Sequence, residues 1–243
     1  MKITFIYHSC YVVEFENIVF IFDYFKGNLP TWNQDKKICF FVSHKHQDHF
    51  SFDIFSFIKQ YKNVTYVLSN DIKLSDKFLL RHDILPDIKK HITFIGKEKD
   101  ITINIEDERL KIETLRSTDQ GVAFLITYEG RTIYHAGDLN WWSWRGETEE
   151  EYAEMSQNYI NEINKLTDRK IDCAFVVLDP RQEERYWWGM DYFLKATSVP
   201  IVFPMHCWEK YWIMGQFKKD RAAQGYCNRV KEVKFEGETF VFE

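Results

Sequence analysis

Cysteine is scarce. Five residues in 243 (Cys10, Cys39, Cys173, Cys207 and Cys227) are scattered, odd in number and contain no Cys-x-x-Cys pair. That disfavours a disulfide framework or a thiolate zinc knuckle and fits a reducing cytoplasm, the expected location. Long apolar runs are also missing: none approaches the ~20 residues that cross a bilayer, so no membrane partner is expected. The opening Met1–His8 carries a lysine but no sustained apolar stretch and no small-residue cleavage site, and reads as a first β-strand rather than a leader. Positive charge is not in excess either. The formal net charge is −5, and basic pairs such as Arg169-Lys170 are short, which argues against a nucleic-acid partner. There is no Gly-x-Ser-x-Gly elbow, and nothing nominates a cysteine nucleophile, so covalent catalysis is disfavoured. With no repeat, linker or composition break, residues 1–243 read as one domain.

What the chain does have is short apolar segments of β character. They run Ile3–Tyr7, Tyr11–Phe15, Ile18–Phe22, Ile38–Ser43 and Val64–Leu68, then Ile101–Ile105, Leu110–Leu115, Val122–Tyr128 and Thr132–His135. Glu16-Asn17 and Glu129-Gly130 read as hairpin turns. Late strands are expected at Cys173–Leu178, Val199–Phe203 and Thr239–Phe242. The clearest helix spans about Glu149 to Leu166, where Tyr152, Met155, Tyr159, Ile163 and Leu166 recur at helical spacing behind a Thr148/Glu151 capping box. Shorter helices are expected at Ser51–Gln60, Asp71–Leu79, Glu184–Lys195 and Trp208–Ala223. Two strand-rich halves, each followed by helices, predict an α/β chain with two sheets face to face and helices outside.

The chemistry concentrates in His44-Lys45-His46-Gln47-Asp48-His49, which follows the apolar run Ile38–Val42. Strand ends are where an α/β sheet exposes functional groups, and neutral imidazole with carboxylate is the usual ligand set for zinc and similar divalent ions. Alternation along an extended stretch puts His44 and His46 on one side. The chain then turns, bringing Asp48 and His49 towards an adjacent position. The competing explanation is an exposed polar loop with incidental histidines.

A His-x-His-x-Asp-His cluster after a buried strand resembles the signature of the metallo-β-lactamase fold superfamily, and in particular its small bacterial hydrolases. Tyr7-His8-Ser9 and Ile21-Phe22-Asp23 look like that group's opening elements. Tyr134-His135-Ala136-Gly137-Asp138 resembles its Gly-Asp element, whose aspartate bridges two metals. Pro204-Met205-His206 resembles the late-strand histidine of the second metal. The resemblance implies a four-layer αββα sandwich and metal ligation by His44, His46, Asp48, His49, Asp138 and His206. One or two divalent ions are implied, zinc first, with manganese or iron as alternatives. Each match has a second reading: Asp138 as a turn cap, His206 as a satisfied core histidine. For His8 and Asp23 the expectation is a role behind the ligands, orienting an imidazole or lining the pocket, with a structural role also open.

One position departs from the pattern. Where the superfamily supplies a third histidine to the first metal, this chain has Ser117, and no histidine lies between His91 and His135. Ser117, Asp119 or water would then complete the first shell. The alternatives are weaker occupancy there, a harder metal, a single ion held by Asp48, His49, Asp138 and His206, or an inactive site. Around it, Trp141, Trp142 and Trp144 either wall a substrate pocket or pack on the following helix. Arg181 either binds a substrate carboxylate or phosphate, or pairs with Asp179 or Glu183. Trp208 and Tyr211 are further candidates for an aromatic wall.

The expected activity is metal-dependent hydrolysis of an ester, lactone, amide or phosphodiester in a small-molecule substrate, with Asp48 and Asp138 as the catalytic carboxylates. The alternative is a metal- or ligand-binding protein of the same fold with little or no turnover. A nuclease is disfavoured by the acidic balance. The oligomeric state is not legible.

Overall fold

The computed structural model describes residues 1–242. A seven-stranded sheet contains β1 (Lys2–Tyr7), β2 (Cys10–Glu14), β3 (Ile18–Phe22), β4 (Lys37–Val42), β5 (Asn63–Ser69) and β6 (Ile92–Ile95). A six-stranded sheet contains β7 (Asp100–Ile105), β8 (Glu108–Arg116), β9 (Val122–Tyr128), β10 (Arg131–His135), β11 (Cys173–Val177) and β12 (Val202–Met205). The last strand, β13 (Thr239–Val241), returns to the first sheet beside β1. Strand order is β13-β1-β2-β3-β4-β5-β6 in one sheet and β12-β11-β10-β9-β8-β7 in the other.

Burial follows from pairing. The β3-to-β6 run and the β10-to-β12 run are parallel. Parallel strands are covered on both faces and so read as unbroken apolar runs; β4 and β11 are buried at every residue. The edge strand β7 instead alternates exposed and covered residues. Glu129 and Gly130, at φ 48° and 74°, form the tight turn between β9 and β10 expected from the sequence.

One core lies between the sheets, with Phe22 stacked on Phe41 at 5.2 Å, and extends through the second sheet to α2 (Glu149–Asn164), α3 (Trp188–Ala196) and α4 (Trp212–Asp220). A second cluster covers the outer face of the first sheet beneath a 3-10 helix at Phe52–Lys59 and α1 (Asp76–Arg81). The layers are therefore helix, sheet, sheet, helix. Among the described residues no helix is long and apolar enough to cross a membrane.

Several helix limits differ from the sequence reading. The helix expected at Asp71–Leu79 starts only at Asp76, because Ser75 caps it by accepting from the Phe78 N–H. The one expected at Glu184–Lys195 begins as α3 only at Trp188, after a separate 3-10 segment at Pro180–Arg185 that is itself kinked at Glu183 (φ 53°). The one expected from Trp208 is delayed to Trp212, since Trp208 and Glu209 have positive φ. The four-residue β6 has no counterpart in the expected strands. The Thr148/Glu151 capping box is formed, each side chain bonding the other's backbone N–H. Thr148→Ala is expected to cost about 1 kcal/mol, seen as a lower urea midpoint at unchanged m-value.

The arrangement that matters for function is simpler. The carboxyl ends of β3, β4, β10, β11 and β12 gather at one end of the sandwich, and each is followed within three residues by a polar group of the site: Asp23, Ser43-His44, Asp138, Asp179 and His206.

Candidate metal centre

Two clusters of metal-capable atoms form at that end. In one, His44, His46 and Asp138 each offer a ligand atom; in the other, His8, Asp48, His49 and His206 do. Within each cluster those atoms lie within 4.8 Å of one another. Asp138 faces both: its Oδ2 is 3.3 Å from His44 Nε2, while its Oδ1 is 3.2 Å from His49 Nε2 and 3.4 Å from His206 Nε2.

Backbone geometry brings the two sheets this close. At Gly137 (φ 52°) an added Cβ would lie 2.6 Å from Ser43 Cβ, and at Gly121 (φ 69°) only 1.9 Å from Ser43 O. Both glycines let the second sheet press onto Ser43-His44 of the first. His8, Asp23 and His206 also adopt positive φ, at 53°, 44° and 65°. Left-handed backbone at non-glycine residues costs about 1–3 kcal/mol each and persists where the surroundings enforce it.

Hydrogen bonds behind the clusters fix which ring nitrogen faces inward. Asp23, fully buried, accepts from Ser43 N (2.7 Å) and Ser43 Oγ (2.6 Å), and its Oδ2 lies 2.8 Å from His49 Nδ1. An ionised carboxylate only accepts, so His49 Nδ1 donates to Asp23 and Nε2 is the nitrogen turned to the cluster. Because Ser43 Oγ already donates to Asp23, it accepts from His44 Nδ1 at 2.9 Å, which turns His44 Nε2 to the cluster. Asp179 does the same for His206, whose Nδ1 lies 2.9 Å from its Oδ2. His135 lies further back: Gly137 N donates to its Nδ1 and its Nε2 donates to Ser9 O, so it is a neutral brace, and burial lowers its pKa.

This leaves His8 Nε2, His49 Nε2, His206 Nε2 and Asp138 Oδ1 buried together without a hydrogen-bond partner. Unpaired buried polar atoms are costly. Ligand atoms about 2.1 Å from one tetrahedral cation sit about 3.4 Å apart, close to the spacings around Asp138. The residues therefore fit a divalent cation.

Charge points the same way. Burial lowers the His8 pKa to about 4, so its ring is neutral. For His49 burial also opposes charge, but Asp138 and Asp23 outweigh it and raise its pKa well above the ordinary value. Burial would raise the pKa of Asp138 and Asp48; for Asp138 the His49 and His206 charges, and for Asp48 the His8 hydrogen bond with the neighbouring histidines, overcome it and hold both ionised. A cation position between Asp138 and His49 is thus filled by a proton when no metal is there.

The structure corrects three expectations. His8 does not stand behind the ligands: its Nε2 lies 3.5 Å from Asp48 Oδ2, inside the cluster with His49 and His206. The bulge between Phe5 and Tyr7 and the positive φ of His8 aim it there, which no spacing rule signals. Ser117 does not complete the first cluster, because its hydroxyl accepts from the Asp119 N–H. Asp119 Oδ2 instead stands 3.8 Å from His46 Nδ1, and Asp119 lines the pocket. Trp141 is not a pocket wall; it packs on Tyr159, Trp188 and Tyr192 beside α2 and α3. Trp142 does line the pocket, joined by Trp144, stacked on it at 5.8 Å. Arg181 is bound to Asp179 through Nε and Nη2, yet also lines the pocket. The role of Asp179 in holding His206 was missed, although its place at a strand end was a usable signal.

A family profile described as the beta-lactamase superfamily domain matches residues 2–151, more than half of the chain. The chain belongs to this family. Its sandwich is the metallo-β-lactamase fold. Among solved structures it is similar to a metallo hydrolase from the hyperthermophilic archaeon Ignicoccus hospitalis, at 18% identity and TM-score 0.59, covering 100% of this chain and 99% of that one. It is also similar to the metallo-β-lactamase fold protein YhfI from Bacillus subtilis, at 12% identity and TM-score 0.57, covering 98% of each chain. A third is CmlA, a diiron β-hydroxylase from Streptomyces venezuelae, at 10% identity and TM-score 0.60, covering 99% of this chain and 54% of that one. No curated protein matches the sequence.

Proposed function

We propose that the protein is a metal-dependent hydrolase of small molecules, acting on an ester, lactone, amide or phosphodiester. The observation that carries this is the set of buried, unpartnered imidazole and carboxylate atoms converging on Asp138. The hydrolase description of the Ignicoccus hospitalis protein supports the reaction class. In this reading His8, Asp48, His49, Asp138 and His206 hold one divalent ion, zinc first. His44, His46 and Asp138 hold a second, less completely, with Asp119 rather than Ser117 at hand. Zinc, manganese and iron remain to be separated by metal analysis.

A bound divalent ion supplies Lewis acidity, lowering the pKa of water towards ~7 and polarising the atom under attack. The chain's own residues do the rest. Asp23, Ser43 and Asp179 fix the imidazole orientations. Asp48, 26% exposed and on the pocket wall, accepts the proton of the attacking water and returns it to the leaving group. Trp142 and Trp144 exclude solvent from one side of a pocket of about 380 Å³, a size for a small molecule.

Metal analysis of purified protein tests the reading: no retained divalent ion at neutral pH would sink it. Because His49 holds a proton in the ion-free chain, zinc added to EDTA-stripped protein at pH 7 is expected to release about one proton for the ion bound at that cluster. Calorimetry in buffers of different ionisation enthalpy reads this number. Binding without proton release would mean that the ion does not sit between Asp138 and His49.

A further inference from the structure

We propose that Arg181 anchors an anionic group of the substrate, so that the preferred ligands carry a planar apolar arm ending in a carboxylate or related oxyanion. This rests on the small-molecule reading above, but its test reads binding rather than turnover. Apart from the histidines, Arg181 is the one cationic side chain lining the pocket.

A guanidinium has two forks. The side-on fork of Arg181 is taken by Asp179: Nε donates to Oδ1 at 3.0 Å and Oδ2 at 2.9 Å, and Nη2 donates to Oδ2 at 2.5 Å. The end-on fork is not: Nη1 makes no hydrogen bond among the described residues. The Asp179 carboxylate is itself fully buried and shared with His206 Nδ1 and, at 3.3 Å, with Trp208 Nε1, so it cannot follow the arginine outward. The faces of the guanidinium are also covered, its Cζ lying 4.5 Å from the Trp208 ring centre and 5.8 Å from that of Trp144. The result is a pinned guanidinium with a free fork, the geometry that binds a carboxylate bidentately with little ordering cost.

The surroundings indicate what carries the anion. Trp142 stands 5.6 Å from the His206 ring and stacks on Trp144 at an interplanar angle of 5°; Arg181 lies over Trp144 and Trp208; Trp208 closes on His206 at 5.6 Å. These five side chains contact one another in a closed ring beside the metal cluster, and Trp142, Trp144, Arg181 and His206 of that ring line the pocket. A flat apolar group lying along Trp142 and Trp144 would place its outer end at Arg181 and its inner end at Asp138 and His206. If Arg181 only tied the Pro180–Arg185 turn to Asp179, ligand charge would not matter.

The test compares 3-phenylpropionate with its neutral isostere 3-phenylpropionamide. Binding is followed by tryptophan fluorescence, on protein as purified and after EDTA treatment. The acid is expected to bind at least ~10-fold more tightly than the amide in both states, the scale of charge-assisted hydrogen bonds. Arg181→Met should abolish that preference, so that acid and amide bind with similar affinity. Arg181→Lys, which keeps the charge without the fork, should retain a smaller preference, and it decides the matter if Arg181→Met does not fold. Equal binding of acid and amide by the unaltered protein, no acid binding by ~10 mM, or a preference surviving Arg181→Met would each overturn the assignment. A preference that survives Arg181→Met but disappears with EDTA would put the carboxylate on the metal instead. The metal content of the same samples reports separately on the hydrolase reading, so either can fail alone.

Discussion

Asp138→Asn is expected to lower kcat/KM by at least ~10³-fold and to strip metal from both clusters. The magnitude follows from the several kcal/mol of charge stabilisation that a bound metal supplies, at about 1.4 kcal/mol per decade. Among the described residues Asp138 alone has oxygens facing both clusters, Oδ2 towards His44 and Oδ1 towards His49 and His206. Asparagine keeps the shape but removes the charge and presents an NH2 to one cluster or the other. It also removes the carboxylate nearest His49 Nε2, leaving Asp23 at 2.8 Å from Nδ1 and Asp48 at 3.9 Å from Nε2. The measurements are hydrolysis of a panel of nitrophenyl esters, lactones and bis(p-nitrophenyl) phosphate, with metal content on the same preparations. Unchanged turnover and unchanged metal in Asp138→Asn would remove this residue from the centre. Turnover by neither protein, with metal retained by the unaltered one, would favour a binding protein of this fold.

Gly121→Ala is expected to destabilise the fold by at least ~3 kcal/mol without altering any polar group of the centre. An alanine there has to adopt φ 69°, and its Cβ would fall 1.9 Å from Ser43 O and 2.6 Å from His44 Cβ, both on a buried strand end. Ser43 O also accepts from Val122 N at 3.0 Å, so the strand cannot retreat without breaking the bond that joins the sheets here. Urea unfolding with a shifted midpoint measures the effect. A loss below ~1 kcal/mol would mean that the two strand ends are looser than described.

The fold and half of the centre could be read from the chain because their signals are contiguous. Unbroken apolar runs such as Ile38–Val42 mark parallel strands covered on both sides, and His44–His49 packs four metal-capable residues behind one of them. What could not be read depends on contacts between distant segments. His8 enters the cluster because a bulge and a left-handed backbone re-aim it. Trp141 and Trp142 are neighbours in sequence, yet one meets α3 and the other His206; only the position of α3 decides which. Ser117 sits at the expected place in the chain, but its hydroxyl is committed to its own loop. The pairing of Asp23 with His49 and of Asp179 with His206 depends on parallel neighbours, β3 with β4 and β11 with β12, coming into register across long connections, although each aspartate ends a strand.

That division of the centre between the two sheets bears on the order of folding. The first sheet brings His8, Asp23 and the His44–His49 segment; the second brings Asp138, Asp179 and His206. Neither half-sandwich holds a complete set, so an intermediate with one sheet formed would bind an ion only weakly. The ion then latches the final docking of the sheets: it slows their separation far more than it speeds their formation.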